Sequence, residues 1–318
     1  MTRTVLVSGA RGFIGAATLR RLADIPETTI VALARSRPDG PTERNVHWVE
    51  SSLEDLAPSH WRSAGWTTFD AVIHLAAFTP KSAATRDSAH EIIAANIVGL
   101  QSLLKSFPSP PGRFVFCSTL DVYSRQAFDQ VVTERSPVGP AGLYGLSKLL
   151  GEGLVEAYSR SAGTESLTLR IGHIFGPGEE RYAKRVPETI RRVLANQPPR
   201  IAGDGGEQRD LLYVDDAAEA LVRACTAALN GARIINLARG ASHSILEVVD
   251  TIATEAGYRG APERLPRPVD AYSTLFDTSL MKRVLGEWPF VSLTEGLRRE
   301  IAQFRSAEHR HDPTVKDP

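Results

Sequence analysis

Short apolar runs closed by glycine or polar turns alternate along the chain with longer stretches whose apolar positions recur every three to four residues. Val5-Leu6-Val7 reads as a strand and runs through the turn Gly9-Ala10-Arg11-Gly12-Phe13-Ile14-Gly15 into a helical pattern ending near Leu22. Further strands are expected at 29–33, 47–50 and 69–77; the last is almost wholly apolar, as a strand covered on both faces should be. His74 inside it reads as a hydrogen-bonded core histidine. Residues 113–119 form a fifth strand that ends in two hydroxyls, Ser118 and Thr119.

Between the fourth and fifth strands, residues 87–107 carry Ile92, Ile93, Ile97, Val98, Leu100, Leu103 and Leu104. These nearly encircle a helix, so one stripe is expected to meet the sheet and another a partner subunit. Asn96, in its middle, would be forced into hydrogen bonds by burial. The helix at 144–160 has the same all-round apolar character, and the two together predict a homodimer through a four-helix bundle. Strands alternating with helices predict an α/β fold, a doubly wound parallel Rossmann sheet with a smaller, discontinuous α/β substrate domain. The expected division gives 1–171 and 208–235 to nucleotide binding, 172–207 and 236–304 to the substrate domain, and 305–318 to a polar tail. Ile234-Ile235-Asn236-Leu237 and a helix at 245–256 are expected to complete the substrate domain.

Composition narrows the picture. Of 318 residues, 37 are Lys or Arg and 37 Asp or Glu, so no global field favours nucleic acid or a membrane surface. No window is apolar enough to span a bilayer, and a cytoplasmic location is expected. The two cysteines, Cys117 and Cys225, lie in apolar runs and read as buried free thiols of a reducing compartment. No metal site is suggested.

Three motifs carry chemistry. In the glycine turn, Gly9 permits a tight turn, Gly12 lets backbone approach a diphosphate and Gly15 lets helix pack on strand, while the helix N-terminus offers free N–H groups. After the second strand, Ala34 stands where an NAD site places a carboxylate on the ribose 2′-hydroxyl, and Arg35, Ser36 and Arg37 follow, which favours NADP with NAD as the alternative. Tyr144 and Lys148, four apart on a helix, put a phenol and an ammonium on one face. A free phenol has a pKa of about 10, and a fixed cation favours the phenolate, making the pair a proton-transfer group.

GARGFIG, DAVIHLAA, NIVG, FVFCSTLDVY, YGLSK, GPG, GDGGEQRDLLYVDD and RPVD follow one another in an order and spacing that resembles the extended short-chain dehydrogenase/reductases, the epimerase/dehydratase family acting on nucleotide sugars. The resemblance runs from the glycine turn to about Pro289. It implies an NAD(P)-dependent enzyme in which Tyr144 is the acid/base, Lys148 its partner on the nicotinamide ribose, and Thr119 the hydroxyl beside the reacting sugar oxygen. It places Gly9, Arg11, Gly12, Phe13, Ile14, Gly15, Arg35, Ser36, Ser52, Leu53, Leu75, Ala76, Ala77, Asn96, Ser118, Ile171 and His173 around the cofactor. Thr119, Asp121, His173, Arg209 and Arg267 would meet the substrate, the two arginines gripping its diphosphate. Glu179, Glu180, Arg181 and Gln208 would flank the sugar pocket.

Three departures from the family pattern stand out. His173 replaces the usual asparagine, Ser52 replaces the aspartate that meets the adenine, and the carboxylate after strand two is missing. Leu120 and Asp121 follow Thr119 where the dehydratases carry an aspartate then a glutamate, which weakens a 4,6-dehydratase reading. The best expectation is an NADPH-dependent NDP-4-keto-sugar reductase. A 4-epimerase is the alternative, and a non-catalytic NADP(H)-binding protein a more remote one.

Overall fold

The computed structural model describes residues 3–39, 43–79, 88–182, 184–268 and 271–311. Asp87, residues 269 and 270 of the Arg-Pro-Val-Asp stretch, the Arg181 side chain and the tail beyond 311 lie outside the described residues.

Seven parallel strands form the main sheet: β1 (Arg3–Ser8), β2 (Thr28–Ala34), β3 (Val46–Glu50), β4 (Ala71–His74), β5 (Arg113–Thr119), β6 (Glu165–Ile171) and β10 (Ile234–Leu237). Their order is β10-β6-β5-β4-β1-β2-β3, so the winding reverses between β1 and β4, and ligands of such sheets sit over the strand ends at that point. Helices α1 (Phe13–Ala23) and α7 (Val214–Ala224) pack together on one face. The other face is covered by α2 (Pro58–Ser63), by α3 (Ala89–Ile93), a π-helical turn (Ala94–Val98) and α4 (Gly99–Ser106), and by α5 (Leu143–Ala162). The strands are buried on both sides: Leu6, Ile30, Val31, Val72, Ile73, Phe114, Val115, Leu167 and Leu169 are fully enclosed.

The smaller unit contains a three-stranded sheet of β7 (His173–Phe175), β9 (Gln208–Tyr213) and β11 (Ser242–Ser244), and a two-stranded sheet of β8 (Arg200–Ala202) and β12 (Glu263–Leu265). Around them lie α6 (Arg185–Leu194), α8 (Ile245–Ala256) and α10 (Leu293–His311), while α9 (Ser279–Leu285) packs against β10 and α7.

The expected boundaries differ from this in three places. Ile234–Leu237 is the outer strand of the main sheet, so a division after 235 cuts β10, whose Ile235 and Leu237 join the main core. Gln208–Tyr213, expected with the nucleotide-binding part, pairs instead with β7 and β11. Residues from 305 continue α10, because Phe304 is buried and Arg298 and Arg299 pair with Glu295 along the helix.

The 87–107 helix also carries a local insertion. Its π turn puts Asn96 inward at 4% exposure and turns Ile93 and Val98 outward, 48% and 43% exposed. Such turns recur at functional sites because they re-aim single side chains.

Candidate active site

The ends of β1, β2, β4, β5 and β6 open into one cleft of about 1250 Å³, closed on the far side by β7, β9, α6 and α8. At its floor the chain turns through Gly9 at φ +72°, a left-handed conformation that suits glycine; a Cβ there would come within 2.6 Å of the Ala76 nitrogen. A Cβ on Gly15 would overlap the Gly9 carbonyl oxygen, so α1 can press on the turn only without a side chain. Gly12 caps α1 with no side-chain hydrogen bond and no acid follows in the first turn. The first N–H groups therefore face the cleft, a cradle that fits a dinucleotide diphosphate.

Beside it, Arg11 donates to Ser36 Oγ at 2.5 Å and to the Ser36 carbonyl at 3.3 Å, while Ala34, Arg35 and Ser36 line the cleft. The cleft also brings together Phe13, Ile14, Leu53, Leu75, Ala76, Ala77, Ser118, Thr119, Asp121, Tyr144, Lys148, Ile171, His173 and Arg209.

Three sequence-predicted residues sit elsewhere. Ser52 turns its hydroxyl to Asp55, 2.7 Å away, leaving Ser51 and Leu53 to line the cleft. Asn96 lies one layer behind. Its Oδ1 accepts the Phe78 N–H at 2.7 Å, and its Nδ2 donates to the Phe78 carbonyl at 3.1 Å and to Ser147 Oγ at 3.0 Å. It thus ties the loop after β4 to the helix that carries Tyr144. Arg267, 57% exposed, pairs with Glu207 at 3.2 Å and does not line the cleft. Arg209 does line it, stacked 4.9 Å over the Tyr272 ring and donating to the Gln208 and Tyr272 carbonyls.

The candidate proton-transfer group is built on α5 and the end of β5. Gly145 lets α5 start against the Asp121 carbonyl, where any side chain would clash. The Tyr144 phenol lies within interaction range of the Thr79 and Thr119 hydroxyls. Burial nevertheless pushes it up to about 12, and the nearby Asp121 carboxylate adds to the rise. Thr119 Oγ1 donates to Asp121 Oδ2 at 3.2 Å, and burial raises that carboxyl as well. Lys148, 4% exposed, lies over the Phe116 ring at 4.8 Å; burial lowers it to about 8 against the pull of Cys117 and Glu152. Burial thus favours the neutral phenol, against the phenolate that a fixed cation would favour.

A buried network supports these groups. Glu152, one helical turn beyond Lys148, accepts from Ser118 Oγ at 2.6 Å and from Arg170 Nε at 3.0 Å and Nη2 at 2.8 Å. Arg170 lies 4.8 Å over the Tyr123 ring, and the Tyr123 hydroxyl donates to Asn236 Oδ1 at 2.5 Å. Removing one member of such a buried pair costs about 3–5 kcal/mol, since the other charge is stranded. His74 is a core histidine: its Nδ1 is 2.7 Å from Ser8 Oγ, and burial lowers it to about 3. Cys117 and Cys225 are buried free thiols.

His173 lines the cleft with its Nε2 lacking a hydrogen-bond partner among the described residues. Burial, then Arg209 and Lys184, lower it to about 3, so it presents a neutral imidazole. Sequence reasoning missed Thr79, Phe78, Tyr182, Lys184, Arg185 and Val186 on the cleft wall. Thr79 alone had a signal, a hydroxyl just past the fourth strand.

The sequence profile of the NAD dependent epimerase/dehydratase family matches residues 5–238, which span the glycine turn, Thr119, Tyr144 and Lys148. The chain belongs to this family. An uncharacterised UDP-glucose epimerase of Bacillus subtilis is 28% identical over 95% of this chain and 98% of its own. A dTDP-4-dehydro-6-deoxy-D-allose reductase of a Streptomyces species is 30% identical over 89% and 90%. Among solved structures, the UDP-glucose 4-epimerase of Thermotoga maritima with UDP-glucose superposes at a TM-score of 0.82, with 27% identity, covering 96% of this chain and 99% of that one. The chain is thus an enzyme of the epimerase/dehydratase family with its Rossmann fold. No helix of the described residues is long and apolar enough to cross a membrane.

Proposed function

We propose that this enzyme uses NADP(H) to transfer a hydride at C4 of a nucleotide-diphosphate sugar, and that its reaction is the reduction of an NDP-4-keto sugar. The contact between Arg11 and Ser36 carries the reading. It puts a guanidinium and a hydroxyl beside the end of β2, where an NAD site would hold the ribose diol with a carboxylate. A cofactor that leaves in its oxidised form after each turnover suits net reduction. Similarity to a 4-keto-sugar reductase over nine-tenths of both chains supports the same reading.

Bound in the cleft, the nicotinamide would supply the hydride. The residues do the rest. Tyr144, neutral and beside Thr119 and Thr79, delivers its proton to the oxygen that gains charge as the carbonyl is reduced. Thr119 holds that oxygen, and Lys148 offsets the phenolate left behind. Arg209, already desolvated, is placed for the substrate diphosphate. Asp121, engaged by Thr119, and the buried apolar Leu120 leave a dehydratase without its acid/base pair.

The second reading, a 4-epimerase, draws on the Thermotoga likeness. Incubation with NADPH and a panel of NDP-4-keto-6-deoxyhexoses, followed by loss of reduced-cofactor absorbance, separates the two. No oxidation, together with interconversion of UDP-glucose and UDP-galactose, would reject the reductase.

Ile93, Val98, Leu146 and Leu150 form an exposed apolar face on the paired helices, 43–52% exposed, which we assign to a homodimer contact. Light scattering should give twice the chain mass, and Leu150→Glu should halve it; a monomer of the unaltered chain rejects the assignment.

A further inference from the structure

A carboxyl group in the cleft wall, and a second one enclosed behind it, have no part in the proton transfer above. Glu179, just after Gly176-Pro177-Gly178, is 2% exposed; Lys184 Nζ lies 2.7 Å from its Oε1, and its Oε2 has no hydrogen-bond partner among the described residues. Glu300 of α10, fully enclosed, lies close enough for the two charges to interact, and neither of its oxygens has a well-formed hydrogen bond among the described residues. Burial raises both carboxyls, Glu300 to about 9, with Glu179 adding to that rise. Glu180 is the third acid facing them, its Oε2 held by the Gly178 N–H at 2.7 Å. Tyr213, with the Arg299 guanidinium 5.7 Å from its ring centre, also faces Glu300, and Lys184 is the cation that acts on both carboxyls.

Lys184 is half-exposed, and its ammonium lies 5.8 Å from the Phe13 ring centre and 5.4 Å from that of Tyr182. Phe13 is the first residue of α1, and Lys184 lines the same cleft as the glycine turn. A four-carbon stem lets a lysine change partners without backbone movement.

We propose that Lys184 is handed from Glu179 to the dinucleotide diphosphate at the start of α1, and that Glu179, backed by Glu300, takes up a proton as the lysine leaves. The inference rests on the family's dinucleotide site. A buried carboxylate stripped of its cation beside a second buried carboxyl is too costly to stay charged, and the incoming proton restores the local balance. Without ligand the ion pair holds the lysine, and the diphosphate draws it away by competing for the same ammonium. The nucleotide sugar brings a second diphosphate, and Lys184 also acts on His173 beside Arg209, so that source must be tested separately.

Calorimetric titration of the full chain near neutral pH with NADP⁺, NAD⁺ and UDP, each in two buffers of different ionisation enthalpy, reads proton uptake directly. The better-bound dinucleotide should take up about one proton and UDP almost none. Lys184→Met should abolish uptake and weaken the dinucleotide about tenfold. Glu179→Gln should abolish uptake yet tighten the dinucleotide about threefold, because the lysine is already released. Dinucleotide binding without uptake overturns the inference and leaves the cofactor site standing. Uptake with UDP alone, or weakening by both variants, overturns it as well. If neither dinucleotide binds, the cofactor reading itself falls, and the inference with it.

Discussion

Lys148 lies over the face of Phe116, its ammonium 4.8 Å from the ring centre, while the phenol of Tyr144 one turn earlier lies within interaction range of Thr79 and Thr119. Burial lowers the lysine to about 8, so it is mostly protonated at neutral pH and loses its charge as pH rises past that value. Its protonated form favours the phenolate of Tyr144, so activity should fall as pH rises through about 8. The kcat/KM profile should show this alkaline limb, and Lys148→Met should remove it along with most activity. A profile flat to pH 10 would contradict the assignment. The stability sign is opposite: the unfolded chain holds this proton to a higher pH, so stability gains between about 8 and 10.5.

Tyr144→Phe removes the proton donor while keeping the ring. Turnover should drop about 10²–10⁴-fold with cofactor affinity, followed by nucleotide fluorescence, changed less than about threefold. Retained turnover would exclude Tyr144 as the acid.

Gly15→Ala places a methyl group against the Gly9 carbonyl, and neither partner is a movable side chain. Dinucleotide binding should weaken at least tenfold, and stability should fall by about 1–3 kcal/mol from overpacking. Unchanged binding by titration would mean that the turn relaxes freely.

These positions were legible because turn chemistry and helical spacing are local. Gly9, Gly12 and Gly15 must occupy a strand–turn–helix junction, and Tyr144 and Lys148 share a face in any helix. Asn96 was read as buried, but its place behind the cleft depends on a π turn that a 3.6-residue period does not reveal. β6 was passed over although Glu165-Ser166-Leu167-Thr168-Leu169-Arg170-Ile171 alternates polar and apolar residues as a half-wet strand does; in the fold its polar positions Ser166, Thr168 and Arg170 are buried as well. Its Arg170 is buried only because Glu152, 18 residues away, neutralises it. Arg267 was expected on the diphosphate, yet Glu207 across the sheets holds it outside the cleft. The Glu179, Lys184 and Glu300 group joins segments more than a hundred residues apart, beyond any spacing rule.

Cofactor choice can be turned by one residue. Ala34→Asp places a carboxylate at the end of β2, where it would repel a 2′-phosphate and bond a ribose diol. The ratio of NADP⁺ to NAD⁺ affinity should fall at least tenfold, measured by titration of both. An unaltered ratio would show that Arg11 and Ser36 do not read the phosphate.

Glu300 is the clearest stability liability. Burial raises its carboxyl from 4.5 to about 9, so the folded chain keeps a proton that the unfolded chain releases. With fewer protons bound in the unfolded state across that window, stability declines as pH rises from about 4.5 toward 9. Glu300→Gln cannot ionise and escapes the decline. At pH 5 the variant and the unaltered chain should melt within about a degree of one another. At pH 8.5 the variant should be more stable by about 1–3 kcal/mol, a lift of a few degrees in Tm. A difference that is the same at both pH values would mean that Glu300 finds a charge partner as pH rises, and that burial does not govern its ionisation.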